Sequence, residues 1–209
     1  MTITTRESDR SAKADPAGSR SRMVFAVVLI VGGGIGWFAS TALLVERIRA
    51  LQNPQVSLAC DISPFVSCGA LFDRWQASLL GFPNPVIGVA GFIAPVVIGL
   101  AILAGARFAS WFWRIVIVGL FGAWAFVTWL FVQSAFVIGV LCPYCLVVWA
   151  ATIPLWWSAV VASMAAGHLG RRVTAVGRTL SAFVPVLVLA NYAVIIGAIV
   201  LRFPFLFGT

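Results

Sequence analysis

Five apolar stretches, each about 20 residues long, constrain most strongly what this chain can fold into. They run roughly over residues 23–45, 85–105, 112–136, 143–166 and 181–203. A helix of that length crosses a hydrocarbon core of ~30 Å, whereas barrel strands need only about 10 residues of alternating polarity. The chain is 62% hydrophobic and 10% charged, against about 25% charged in soluble domains. We therefore expect an all-α membrane protein with five spans.

The segment ahead of the first span predicts a tail. Residues 1–22 are polar, small and mixed in charge, which favours a disordered cytoplasmic tail followed by one transmembrane domain over residues 23–209. The first apolar run is about twice the 7–15 residues of a signal-peptide core, and no small-residue cleavage site ends it. We expect a retained helix.

The only long loop, residues 46–84, separates the first two spans. Loops of this length are usually functional or disordered. Apolar residues recur in it at helical spacing: Leu71, Phe72, Trp75, Leu79 and Leu80. They predict a short amphipathic helix that lies on the membrane surface like a lid. An ordinary interfacial helix without a gating role is the alternative.

Basic residues predict the orientation, because Lys and Arg in short loops mark the cytoplasmic side. The tail and the turns after spans two and four contain ten of them: Arg6, Arg10, Lys13, Arg20, Arg22, Arg107, Arg114, Arg171, Arg172 and Arg178. The other side has four: Arg47, Arg49, Arg74 and Arg202. The N-terminus is therefore expected in the cytoplasm. We interpret the net charge of +8 as a topology signal and expect no nucleic-acid partner.

Four cysteines fall on the outer side in this topology. Cys60 and Cys68 lie in the long loop, and Cys142 and Cys145 begin span four. The outside is the oxidising compartment, where thiols pair. Pro143 suits the first helical position, which puts Cys142 at the positive end of the helix dipole and should lower its thiol pKa. Since thiolates attack disulfides, two redox-active pairs in series are predicted.

Structural disulfides or a zinc site are the alternatives for these cysteines. A disulfide across two residues constrains the unfolded chain little, which weakens the structural alternative. The C-x7-C spacing lies outside the usual zinc spacings, and the only histidine, His168, is predicted on the opposite side. Leu146 follows Cys145, so a haem-attachment motif is excluded. No metal is expected.

Four segments carry a family resemblance: "CDISPFVSC", the following "FDRW", "FPNPVIG" at span two and "CPYC" at span four. In that order they resemble the bacterial homologues of vitamin K epoxide reductase, over about residues 23–166. The unrelated DsbB-type oxidases also use four cysteines and a quinone, but their C-x-x-C pair precedes the loop pair. Here the loop pair comes first.

The resemblance implies a four-helix transmembrane bundle around a quinone of the menaquinone or ubiquinone type, with the fifth span as a peripheral helix. It implies an oxidoreductase of the bacterial inner membrane that reoxidises a periplasmic thioredoxin-fold protein of the DsbA type and so supports disulfide formation. Some relatives carry that partner fused at the C-terminus. Because this chain ends at Thr209, soon after span five, we expect a separate partner.

The resemblance also implies roles for the four cysteines and for one asparagine, assigned by their positions in the matching motifs. The resemblance implies that Cys60 exchanges with the partner and that Cys68 forms a transient bridge to Cys142. Cys145 would face the quinone. Asn84 would hydrogen-bond a quinone carbonyl, although the residues alone equally favour a helix N-cap.

Two departures from the family pattern stand near these residues. Asp73 and Arg74 occupy the place where many relatives have a hydroxyl residue. Trp149 stands four residues after Cys145, where the vertebrate enzymes have a tyrosine that donates to the quinone. An indole N–H donates but cannot accept, so we expect Trp149 to bind the quinone with a different preference.

Two other functions remain open from the sequence. The same cysteine relay could reduce a vitamin K or quinone epoxide. A non-enzymatic membrane scaffold with structural disulfides is the second alternative, and it predicts that loss of Cys142 leaves function intact.

Overall fold

The computed structural model describes residues 16–204, with side chains from residue 20 onward. Its helices are α1 (Pro16–Gln52), α2 (Gly69–Phe72), α3 (Pro85–Leu103), α4 (Ser110–Val132), α5 (Pro143–Ala165), α6 (Arg171–Leu180) and α7 (Val184–Arg202). A π-helical segment, Gln133–Ile138, continues α4. Five helical segments within this range are long and apolar enough to cross a membrane, which confirms the predicted all-α membrane class.

The first spanning helix begins earlier than predicted. Residues 1–15 of the predicted tail lie outside the described residues, whereas residues 16–22 are helical and extend the first helix ahead of the predicted start at residue 23. Pro16 is favourable at the first helical position, and no proline follows it until Pro54. The helix ends at Gln52 because a proline disfavours the α conformation in the residue before it.

The segment between the fourth and fifth spans, predicted as a turn, contains α6. This helix is amphipathic and exposes Arg171, Arg172 and Arg178. Its Gly177 is buried against Met164 of α5, where a larger side chain would collide with backbone. A search for apolar runs misses such a helix because most of its surface is polar.

Small residues let α1 and α3 pack closely at the centre of the bundle. A Cβ atom on Gly99 would lie 2.7 Å from Ile30 Cγ1 and 2.8 Å from the carbonyl oxygen of Ala26. A Cβ atom on Gly33 would lie 2.8 Å from Val96 Cγ2. Membrane helices depend on such close approach because lipid supplies little hydrophobic drive between them.

The fifth spanning helix, α7, packs on the outside of α4 and α5, as the predicted peripheral helix should. Asn191 Oδ1 accepts hydrogen bonds from Trp124 Nε1 at 3.1 Å and Trp157 Nε1 at 3.3 Å. Tyr192 donates its hydroxyl hydrogen to the carbonyl oxygen of Ala150. These bonds pair polar groups that lipid could not satisfy.

The loop between α1 and α3 covers one end of the bundle. The predicted lid helix is present as two separate turns, Gly69–Phe72 and a 3-10 turn at Trp75–Ser78. Arg74 lies between them with an extended backbone, φ −85° and ψ 140°, which interrupts the helix.

Charged residues of α1 fasten this loop. Arg47 pairs with Asp73 at 3.6 Å, and its guanidinium carbon lies 5.1 Å from the centre of the Phe72 ring. Glu46 is buried and accepts a hydrogen bond from the backbone N–H of Ala59 at 3.4 Å. The loop is thereby tied to the end of α1 at two points.

We expect Gly99→Ala to destabilise the bundle by about 1–3 kcal/mol, since the added methyl group overpacks the α1–α3 contact. The measurement is the Tm of the purified protein in detergent. Gly91→Ala is the matched control on the same helix, because nothing lies within 4 Å of its added Cβ atom. Equal Tm values for the two variants would contradict the close packing described here.

Candidate active site

All four cysteines meet at the loop-covered end of the bundle. Cys60 and Cys68 form a disulfide, whereas Cys142 and Cys145 are free thiols. The sulfur atoms of Cys68 and Cys142 are 3.3 Å apart, and both residues are buried. One member of the bonded pair is therefore in contact with one member of the free pair.

Backbone pairing brings these two sulfur atoms together. The N–H of Ser67 donates to the carbonyl oxygen of Leu141 at 2.9 Å, and the N–H of Leu141 donates to that of Phe65 at 2.8 Å. The two segments run parallel in this short bridge. The residues that follow on each segment, Cys68 and Cys142, consequently lie side by side.

Asp61 holds the turn that contains Cys68. Its Oδ1 accepts hydrogen bonds from the Ser67 hydroxyl at 2.7 Å, the Cys68 N–H at 2.9 Å and the Gly69 N–H at 3.0 Å. Sequence analysis did not assign Asp61 to the site, although an acidic residue directly after Cys60 could have indicated a role beside the cysteines. A carboxylate that accepts three hydrogen bonds fixes the local backbone and hence the position of the Cys68 sulfur.

Asp73, at which this chain departs from the family pattern, pairs with α1 and does not contact the thiols. Asp73 pairs with Arg47 on α1 and is not part of the hydrogen-bonded turn at the thiols. The hydroxyl group nearest the loop cysteines in sequence is that of Ser67, which bonds to Asp61. Asp73 thus contributes to fastening the loop.

Cys142 occupies the N-cap position of α5, ahead of Pro143 at the first helical position. Its sulfur accepts a hydrogen bond from the backbone N–H of Cys145 at 3.4 Å. The pKa of the Cys142 thiol lies below its usual value, mainly because the Cys145 side chain hydrogen-bonds to it, with further help from the N–H groups of Cys145 and Tyr144. Burial acts in the opposite direction but does not prevail. The direction agrees with the prediction from the helix terminus.

A cavity of about 850 Å³ lies beneath the loop, and its walls are almost entirely apolar. Cys142 and Cys145 both line it, and the side chain of Cys145 is exposed on its wall. Pockets of this size and character hold small organic ligands when a few polar groups fix the orientation. The polar groups on this wall therefore decide which ligand fits.

Trp149 places an indole on the cavity wall. Its ring stacks on Phe131 at 4.3 Å between centroids, and its Nε1–H is buried without a hydrogen-bond partner. Buried N–H groups are rarely left unpaired in folded proteins. A ligand with an acceptor oxygen would satisfy this group.

Asn84 also lines the cavity, but its side chain braces the loop. Its Nδ2 donates to the carbonyl oxygen of Gln76 at 2.6 Å, and its Oδ1 accepts from the N–H of Leu79 at 3.2 Å. It occupies the N-cap position of α3, as the alternative from the sequence had it, but its side chain makes no capping hydrogen bond. The second hydrogen on Nδ2 is not used by these bonds.

Two glutamines add further polar groups to the cavity wall. Gln76 Nε2 donates to Gln133 Oε1 at 3.3 Å, while Gln76 Oε1 is buried without a partner. Sequence analysis did not assign either of them to the site. Gln133 begins the π-helical segment, and such segments are frequent at functional sites, but this feature is visible only in the structure.

No cluster of three metal-ligating side chains occurs between residues 16 and 204. His168 lies beyond the far end of α5, where its Nδ1 is 3.0 Å from Ser110 Oγ. It is therefore at the opposite end of the bundle from all four cysteines.

Comparison with known proteins identifies the family. The sequence profile described as the vitamin K epoxide reductase family matches residues 27–160, which is more than half of the chain and includes all four cysteines. A search of curated proteins finds no match. Members of this family are membrane thiol oxidoreductases that use a quinone. The cysteine geometry and the profile lead to one conclusion: this chain belongs to the vitamin K epoxide reductase family.

Proposed function

We propose that this protein is a disulfide-forming oxidase of the bacterial inner membrane. It reoxidises a separate periplasmic thioredoxin-fold protein of the DsbA type and passes two electrons through Cys60 and Cys68, then Cys142 and Cys145, to a membrane quinone. The observation that carries the proposal is the distance of 3.3 Å between the sulfur atoms of Cys68 and Cys142. A structural disulfide would not need a buried free thiol in contact with it.

The electrons move by thiol–disulfide exchange, in which one thiolate replaces another. The partner's two thiols reduce the outer disulfide and leave as a disulfide, so that Cys60 and Cys68 become thiols. Cys68 attacks Cys142 of the inner disulfide, the Cys68–Cys142 bond forms, and Cys145 leaves as a thiolate. Cys60 then attacks Cys68, which restores the outer disulfide and releases Cys142.

The bonded outer pair and the free inner pair are the state expected after this internal transfer. A lowered Cys142 thiol pKa favours that step, because a thiol of lower pKa is the better leaving group. The hydrogen bond from the Cys145 N–H stabilises the sulfur that leaves.

The cavity beside Cys145 fits a quinone. Its apolar walls match a flat ring and an isoprenoid tail, and they exclude water from the thiols. Trp149 has an unpaired N–H for a carbonyl oxygen, and Asn84 retains a second amide hydrogen. When bound, a quinone accepts the two electrons and two protons of the inner thiol pair.

The charge distribution supports an orientation with the cysteines outside. The end of the bundle opposite the cysteines has seven of the described arginines: Arg20, Arg22, Arg107, Arg114, Arg171, Arg172 and Arg178. The cysteine end has four, two of which pair with carboxylates. Because basic residues mark the cytoplasmic side, the loop cysteines would lie on the periplasmic side. Cys60 is only 2% exposed, so exchange with a DsbA-like protein would require this part of the loop to move.

We expect Cys142→Ser to reduce turnover to background, because the exchange needs its sulfur. The assay mixes the purified protein with a reduced DsbA-like protein and a soluble quinone, and follows partner oxidation and quinone reduction together. Ser57→Ala, at an exposed loop position, is the control and should retain wild-type turnover.

Two outcomes of that assay would contradict the proposal. Full turnover in Cys142→Ser would favour the scaffold with structural disulfides. Wild-type protein that never couples partner oxidation to quinone reduction, but consumes a quinone epoxide supplied in place of the quinone, would favour the epoxide reductase.

Trp149→Phe removes the indole N–H while keeping an aromatic ring in the cavity. We expect the KM for quinone to rise by about 2–10-fold, the equivalent of one lost hydrogen bond. The smaller ring should also lower the Tm, because Trp149 is buried and stacks on Phe131. Trp156→Phe, a tryptophan of the same helix outside the cavity lining, is the matched control. An unchanged KM would show that Trp149 only packs.

A further inference from the structure

A second groove lies at the end of the bundle opposite the cysteines and encloses about 1120 Å³. It forms where the ends of α1, α3, α5 and α7 meet near the start of α4. Its inner wall is apolar and includes Val24, Phe25, Ile102, Trp113 and Val188. Its lining also contains three arginines: Arg20, Arg22 and Arg107.

We propose that this groove binds an anionic phospholipid. The phosphate group contacts the guanidinium groups of Arg20, Arg22 and Arg107, and an acyl chain lies along the apolar wall. The site is separate from the quinone cavity, which lies at the other end of the bundle.

Among the described residues, this end of the bundle has basic side chains and no carboxylate. None of the three groove arginines pairs with a carboxylate of the described residues. Every carboxylate in that part of the chain, from Glu46, Asp61 and Asp73, lies at the cysteine end. Basic groups at the membrane surface attract anionic lipid headgroups by about 1 kcal/mol each.

Ser163 supplies an independent observation. It lines the groove, its exposure is only 2%, and its hydroxyl has no hydrogen-bond partner. A helical serine commonly bonds to the carbonyl oxygen four residues earlier, but this one does not. Ser163 lies two residues before the end of α5 at Ala165, in the wall of the same groove as the three arginines. A lipid phosphate or ester oxygen would satisfy the hydroxyl, which otherwise costs about 1–3 kcal/mol.

The shape of the groove distinguishes a lipid from a free anion. Inorganic phosphate could meet the arginines, but it would leave the apolar wall uncovered. A phospholipid presents a phosphodiester and hydrocarbon in the same molecule, which matches the arginines and the apolar wall together.

The test is native mass spectrometry of the full chain in detergent, titrated with phosphatidylglycerol or, in a parallel arm, with phosphatidylcholine. We expect one phosphatidylglycerol to bind at least tenfold more tightly than phosphatidylcholine. The variant with Arg20→Gln, Arg22→Gln and Arg107→Gln should weaken that binding on the order of 100-fold. The matched control changes Arg171, Arg172 and Arg178 to Gln; these residues are at the same end but outside the groove, and affinity should stay within about threefold.

A second variant separates ligand binding from structure. Ser163→Ala should weaken phosphatidylglycerol binding by about fivefold, equivalent to one hydrogen bond, without lowering the Tm of the lipid-free protein. Equal affinity for the two lipids would overturn the proposal, as would equal losses in the two triple variants. Displacement of the lipid by millimolar inorganic phosphate would show a free-anion site instead. None of these results depends on oxidase activity, so this inference and the proposed function can fail separately.

Discussion

The contact between the sulfur atoms of Cys68 and Cys142 is the interaction on which the rest of the structure depends. It joins a loop to a helix N-terminus that is 74 residues away in sequence. Three features maintain it: the backbone bridge through Leu141, the hydrogen-bonded turn at Asp61, and the attachment of the loop to α1. Exchange between the pairs needs each of them, because a disulfide passes to a thiol only when the sulfur atoms touch.

The two ends of the bundle carry different functional groups. The cysteines, the described carboxylates and the cavity beneath the loop occupy one end, whereas most of the described arginines and the second groove occupy the other. Close packing of α1 against α3 positions the helices of the bundle. Asn191 attaches α7 to the outside of the bundle through its hydrogen bond with Trp124 of α4. This arrangement places the free thiols of Cys142 and Cys145 on the wall of an apolar cavity.

Much of this could be predicted from sequence, because it depends on local properties. Apolar run length predicted the spans, and Pro143 next to Cys142 predicted a thiol at a helix start. The Gln76–Gln133 pair arises only when distant segments meet, so no local pattern revealed it. Asp61 bonds within its own loop, and its position next to Cys60 was a local signal that the prediction did not use. The sequence analysis missed helix α6 because its exposed surface is mostly polar, as the surface of a turn usually is. The family resemblance supplied the order of the relay, which composition alone left open.

The most direct test is disulfide formation in the variant Cys60→Ala and Cys145→Ala, which retains only Cys68 and Cys142. Because these sulfur atoms are 3.3 Å apart, mild oxidation should link them nearly completely, and digestion under non-reducing conditions should release one cross-linked peptide pair. The variant Cys68→Ala and Cys145→Ala, which retains Cys60 and Cys142, should link far more slowly. If Cys68 and Cys142 remain free thiols under the same conditions, the relay described here is wrong.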